Sequence, residues 1–188
     1  MLLSAHPNLK SEIRSLPEKE KDKLLLRLIA KDKVLTEHLH FKLLENEEDL
    51  AERSAKLLDK IDEGIAGLLS NKKLTSKDAL TQMRTLTGKI NHHFKVTKDS
   101  NSDVELRIYL LRHLPIAFNE GVFSGLHKYN EKLNIYFVKS VVAVLKKYDK
   151  MHEDIQFDLN ASINEVLIKT QTSKTRTIAD ELGLPKER

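Results

Sequence analysis

The chain has no cysteine and no tryptophan, and only four prolines and six glycines among its 188 residues. Without cysteine there can be no disulfide, no thiolate zinc site and no cysteine nucleophile, a composition that suits a reducing compartment. The expected location is therefore the cytoplasm. So few glycines and prolines leave little material for the many turns of a β-rich fold, and the helical period meets little competition. No apolar run approaches the ~18 residues a membrane span needs. The opening Met1-Leu2-Leu3-Ser4-Ala5-His6-Pro7 is too short for a signal-peptide core, so the expectation is a protein neither exported nor embedded. The absence of tryptophan, with ten Phe and Tyr in all, leaves few rings on which bases could stack.

What the chain does contain is amphipathic helix. At 188 residues it fits one domain, expected to span 1–188 with a tail fraying from about residue 183, and large enough to bury roughly 70% of its unfolded surface. A short helix over about Asn8 to Arg14 is followed by Ser15-Leu16-Pro17-Glu18, which has the form of a capping box with proline in the first turn. The leucines 24, 25, 26 and 28 and Ile29 follow. Asp32 can cap a second helix carrying Val34, Leu35, Leu39, Leu43 and Leu44 on its inner side.

Asn46 can open a long helix in which Leu50, Leu57, Leu58, Ile61, Ile65 and Leu68 repeat at three-four spacing, the mark of one buried stripe. Gly64 and Gly67 would let another helix approach it closely. Thr75 or Ser76 starts the next helix, with Leu80, Met83, Leu86, Ile90 and Phe94 as its stripe. Ser102 with Glu105 repeats the capping-box pattern after a loop at 99–103, and Pro115 ends or kinks the helix that follows.

From about Asn130 to Tyr148 apolar residues leave almost no polar side, which places that helix in the middle. Its valines favour a strand, but its length and the lack of a partner strand favour a helix. Ile155, Leu159, Ile163 and Val166 mark another helix, with a break near Asn160, and Thr177 to Leu182 a last short one. The expected class is all-α, either an irregular α-α superhelix or a compact helical bundle of about six to eight helices.

Asp103-Val104-Glu105-Leu106-Arg107, followed by Leu110, Leu111 and Leu114, resembles the opening of a HEAT-type repeat, in which an Asp and an Arg bracket the first turns of a helix pair. The likeness covers about 20 residues, and the matching Asp and Arg do not recur at a period of ~40 residues to either side. It implies a binding scaffold without catalysis of its own.

Charge is patterned beneath a net +4. Residues 32–70 carry 5 cations and 10 anions, residues 71–100 carry 7 cations and 2 anions. Two adjacent helices of opposite sign can neutralise each other, or the basic one can bind anions. On a helix, Lys77, Arg84 and Lys95 fall within about 20° of one another along roughly 27 Å. Glu37 with His40, and Asp149 with His152, have the spacing of a carboxylate-imidazole pair for a di-metal centre, but chance supplies about one such pair in a chain of this composition.

Reaction motifs do not hold up. In Gly121-Val122-Phe123-Ser124-Gly125 the serine stands one position late for a nucleophile elbow. Thr87-Gly88-Lys89 lacks the rest of a phosphate-binding loop. Asn160-Ala161-Ser162, formally a glycosylation site, reads as a turn or cap.

The functional expectation is a non-enzymatic scaffold that binds a protein partner through a groove between helices, with no cofactor and no metal. Tyr109, Arg112, His113, Phe118 and Phe123 are its candidate contacts, because Pro115 forces an irregularity there; Phe118 and Phe123 can equally be core. The alternative is phosphate or nucleic-acid binding through Lys77, Arg84 and Lys95 on the basic helix at about 72–98. A metal-dependent enzyme is the remaining reading.

Overall fold

The computed structural model describes residues 3–121, 123–172 and 174–188; Met1, Leu2, Val122 and Ser173, including the second residue of the elbow-like stretch, lie outside them. Every regular element among the described residues is helical. A 3-10 turn at Leu3–Ala5 precedes α1 (Pro7–Ser15), α2 (Glu18–Ile29), α3 (Lys33–Leu44), α4 (Glu47–Leu69), α5 (Ser76–Thr97), α6 (Ser100–His113), α7 (His127–Tyr148), α8 (Glu153–Thr170) and α9 (Arg176–Glu181). The all-α class follows. These elements group into two compact units, residues 1–45 and 46–188.

In the first unit, the carboxylate of Asp32 accepts the Leu35 N–H at 3.0 Å and so caps α3, as its position suggested. The Thr36 hydroxyl donates to the Ile29 carbonyl at 2.9 Å, tying the start of α3 to the end of α2. The capping box at Ser15 does not form. Leu16 and Pro17 are both extended, the conformation a residue before proline prefers, so Ser15 stays with α1 and donates to the Glu12 carbonyl at 2.8 Å. α2 starts with no side-chain cap. The inner face expected of α3 is also overturned: Leu43 and Leu44 are 71% and 74% exposed, and no residue of α1, α2 or α3 is buried.

The second unit holds the core. Asn46 and Asp49 form a capping box at the start of α4, and Thr75 and Asp78 form one at the start of α5. Leu57, Ile61, Ile65 and Leu68 of α4 and Leu80, Met83, Leu86 and Ile90 of α5 are buried as their spacing required. At Gly64 an added Cβ would stand 2.2 Å from the end of the Gln82 side chain, so α5 does come close there, whereas Gly67 has nothing within 4 Å. α6 packs on α4, α5, α7 and α8, and α7 packs on α5, α6, α8 and α9.

The loop expected at 99–103 shrinks to two residues, Lys98 and Asp99. Lys98 ends α5 in the left-handed region (φ 57°), its N–H bonded to the Phe94 carbonyl, and Asp99 at once caps α6 by accepting the Ser102 N–H at 2.7 Å. Ser102, expected as the cap, is instead buried in the first turn, its hydroxyl 3.0 Å from His93 Nε2. Burial holds the pKa of His93 below the usual imidazole value, partly opposed by Asp99.

Asp103 is wholly buried. Arg107 grips it through Nε at 3.0 Å to each oxygen, and Lys147 of α7 reaches it at 2.5 Å. Arg107 also donates to Asn91 of α5 at 2.6 Å, so α6 and α7 meet on the carboxylate and α5 is tied to it through Arg107.

α6 ends at His113, two residues before Pro115. α7 is a helix, yet it has an outer side. Lys132, Ile135, Lys139 and Ala143 are exposed, because the neighbouring helices cover only part of its circumference. α8 runs unbroken through Asn160, whose side chain accepts from that of Asn164 at 2.6 Å. Arg188 N–H donates to Asn164 at 2.7 Å, and its guanidinium to Asp149 at 2.9 Å.

Candidate functional site

The region between α6 and α7 is pinned from three sides. Lys169 of α8 points its ammonium at the open end of α6 and donates to the carbonyls of Leu111 (3.1 Å), Arg112 (2.6 Å) and Leu114 (2.8 Å). These are the orphan carbonyls of a helix C-terminus, where a cation is also favoured by the dipole. Burial brings the Lys169 pKa down to about 8, with Glu165 pulling the other way. Lys174 donates to the Phe118 carbonyl. Glu120 accepts the backbone N–H of Ser76 at 2.9 Å and its hydroxyl at 2.5 Å, fixing the connection to the first turn of α5.

Beneath this connection α7 carries Asn130 and Asn134, one turn apart and only 3% and 5% exposed. Their amides form a ladder. Asn130 Nδ2 donates to the Phe118 carbonyl and Asn134 Nδ2 to Asn130 Oδ1, each at 3.3 Å. The ladder leaves Asn134 Oδ1 buried with no hydrogen-bond partner, and His127 Nδ1 is in the same condition. Buried polar atoms are nearly always paired, since leaving one unmatched costs about 1–3 kcal/mol.

Both residues line a groove of about 590 Å³ on the α7 and α9 side of the bundle. Its apolar wall is Ile135 of α7 with Ile178 and Leu182 at α9. Lys139, Lys174, Glu131 and Glu181 stand around it, with His127 Nε2 3.5 Å from Glu131.

Of the residues singled out from sequence, Tyr109, Arg112 and His113 come together on the outer side of α6. The rings of Tyr109 and His113 are 4.2 Å apart, and His113 Nδ1 donates to the Tyr109 carbonyl at 2.9 Å. Tyr109 donates to Asp62 of α4 at 2.7 Å, a bond that raises its pKa, and Arg112 donates to Glu165 of α8. A smaller hollow of about 240 Å³ runs past Tyr109 and Arg112 between Leu58 and Leu159. Phe118 is core, at 8% exposure, while Phe123 is fully exposed, so neither joins the other three.

Lys77 and Arg84 stand over the rings of Tyr129 and Tyr136 of α7, at 5.6 and 5.7 Å from their centroids. Lys95 lies exposed further along α5. The spaced carboxylate-imidazole pairs are engaged elsewhere: His40 meets Glu45 at 2.7 Å, Asp149 takes Arg188, and His152 caps α8. No group of three or more His, Asp or Glu that could hold a metal ion occurs among the described residues. No helix among them is long and apolar enough to cross a membrane.

Helical periodicity does not reveal the α7–α9 groove, although the sequence holds a trace of it. Asn130 and Asn134 interleave with Leu133 and Phe137 on the buried stripe, and an amide at a core position needs a partner. No family model, curated protein or solved structure matches the chain.

Proposed function

We propose that this chain is a non-enzymatic helical scaffold that binds a protein partner, taking a segment of it into the groove flanked by α7 and α9. The observation that carries the reading is the asparagine ladder ending in an unmatched buried oxygen beside an apolar wall. A side-chain carboxamide has the same donor and acceptor pair as a peptide group, so a ladder of them is suited to a main chain laid alongside it. Ile135, Ile178 and Leu182 supply the apolar surface for one anchoring side chain, and the charged rim suits a polypeptide's polar flanks. The groove's titratable groups support binding over reaction. Glu120 is committed to Ser76, Lys174 to a backbone carbonyl, and His127 faces Glu131 across 3.5 Å.

Selection of a displayed random 12-residue peptide library on the purified chain tests this. Enriched peptides should share an apolar anchor. Their affinity should fall at least tenfold for Ile178→Glu and for Asn134→Leu, with melting of each variant as a check on folding, and should hold for Tyr109→Ala on the far side of α6. Peptides that bind Ile178→Glu as well as the parent, or a library that yields no enrichment, would refute the groove.

A further inference from the structure

A second surface on the same unit has a different chemistry. α5 and α7 lie side by side and parallel, with a constant register: Lys77 meets Tyr129, Arg84 meets Tyr136, and Phe94 lies under Lys147 at 4.7 Å. The two helices hold nine Lys and Arg, of which Lys147 is engaged by Asp103 of α6, against two acids of their own, Asp78 and Glu131. Asp78 is taken by the Thr75 capping box, and Glu131 sits on the groove side with His127.

The cations are ordered in rows. On α7, Lys128, Lys132, Lys139 and Lys146 fall within about 40° of one another at 100° per residue, and all are exposed. On α5, Lys77, Arg84 and Lys95 make the matching exposed row. The ends of each row are 18 positions apart, about 27 Å at ~1.5 Å per residue. Between them lie Tyr129 and Tyr136, half-buried. Tyr129 holds Lys77 and Lys128 at 5.6 and 5.5 Å from its centre, and Tyr136 holds Arg84. A cation already resting on a ring has lost much of its side-chain freedom and gives up less on meeting a phosphate.

We infer that this seam binds single-stranded nucleic acid without sequence preference, the two rows following its phosphates and the tyrosines between them meeting its bases. Packed helices stand about 8–10 Å apart, so a flexible strand can use both rows, whereas a rigid duplex laid on this face meets chiefly one. Rings set in a basic track are the feature that favours an unpaired strand, whose bases have free faces. The site is separate from the peptide groove, although Lys139 borders both.

The test is fluorescence anisotropy of a labelled 20-residue oligothymidylate, with a 20-base-pair duplex and phosphatidylserine vesicles as comparisons. The oligothymidylate should bind at 50 mM salt and weaken steeply by 200 mM. Lys77→Glu with Arg84→Glu, or Lys132→Glu with Lys146→Glu, should each lower affinity more than tenfold while melting shows the chain still cooperatively folded. Removing two contacts should make the slope of log affinity against log salt shallower by about 1.4. Tyr129→Leu with Tyr136→Leu should weaken binding severalfold. No binding at 50 mM salt, equal or tighter binding of the duplex, binding to vesicles alone, or affinity indifferent to both charge-reversal pairs would each overturn the assignment.

Discussion

Residues 1–45 contain 12 leucines and residues 46–188 contain 19, so the first unit is about twice as rich in leucine, yet among the described residues only the second has a core. The difference lies in spacing. Leu24, Leu25, Leu26, Leu28 and Ile29 are nearly consecutive and fan across about 200° of α2, too wide an arc for one neighbour to cover. Leu57, Ile61, Ile65 and Leu68 of α4 fall within about 80° and are buried together. Hydrophobic content supplies the material for a core, and periodicity decides whether one forms. Both proposed binding surfaces belong to the unit where it does.

Substitutions in the two units should separate accordingly. The largest effect is expected at Asp103, where alanine would strand Arg107 against the core and free Lys147. Urea melting should show a loss of about 3–5 kcal/mol. Leu133→Ala, at a wholly buried position, should cost about 2–5 kcal/mol, while Leu25→Ala, 56% exposed, should stay within about 0.5 kcal/mol.

A smaller effect concerns pH. His93 is held below its unfolded pKa by burial, so between the two values the unfolded chain binds more protons and stability rises with pH. Acidification below about 6.5 should therefore weaken the fold. His93→Gln should flatten that part of the profile of melting temperature against pH, and an unchanged profile would remove His93 as its source.

Much of the fold was legible because local rules and packing agreed. The stripes of α4 and α5 and the caps at Asp32, Asn46 and Thr75 stand where the residues place them. Local rules failed where a neighbour competed. Ser15 lost its capping role to the extended Leu16-Pro17 pair, and Ser102 lost its own to Asp99 once Lys98 turned left-handed. On the functional side, the irregularity at Pro115 pointed to Tyr109, Arg112, His113, Phe118 and Phe123, of which the first three come together on α6 while Phe118 is core and Phe123 is exposed. The groove was legible only in the two asparagines at core positions of α7, since Asn134 and Ile178 come to line one groove only through the packing of α9 on α7. The tyrosines beneath Lys77 and Arg84 were equally hidden, coming from a helix some 50 residues away in the chain.

Amide hydrogen exchange on the whole chain bears most directly on the claim that spacing, and not leucine content, makes the core. Amides in α4 to α8 should exchange only through global unfolding, while those of α1 to α3 exchange orders of magnitude faster through local opening. Protection in α2 and α3 equal to that in α7 would contradict it.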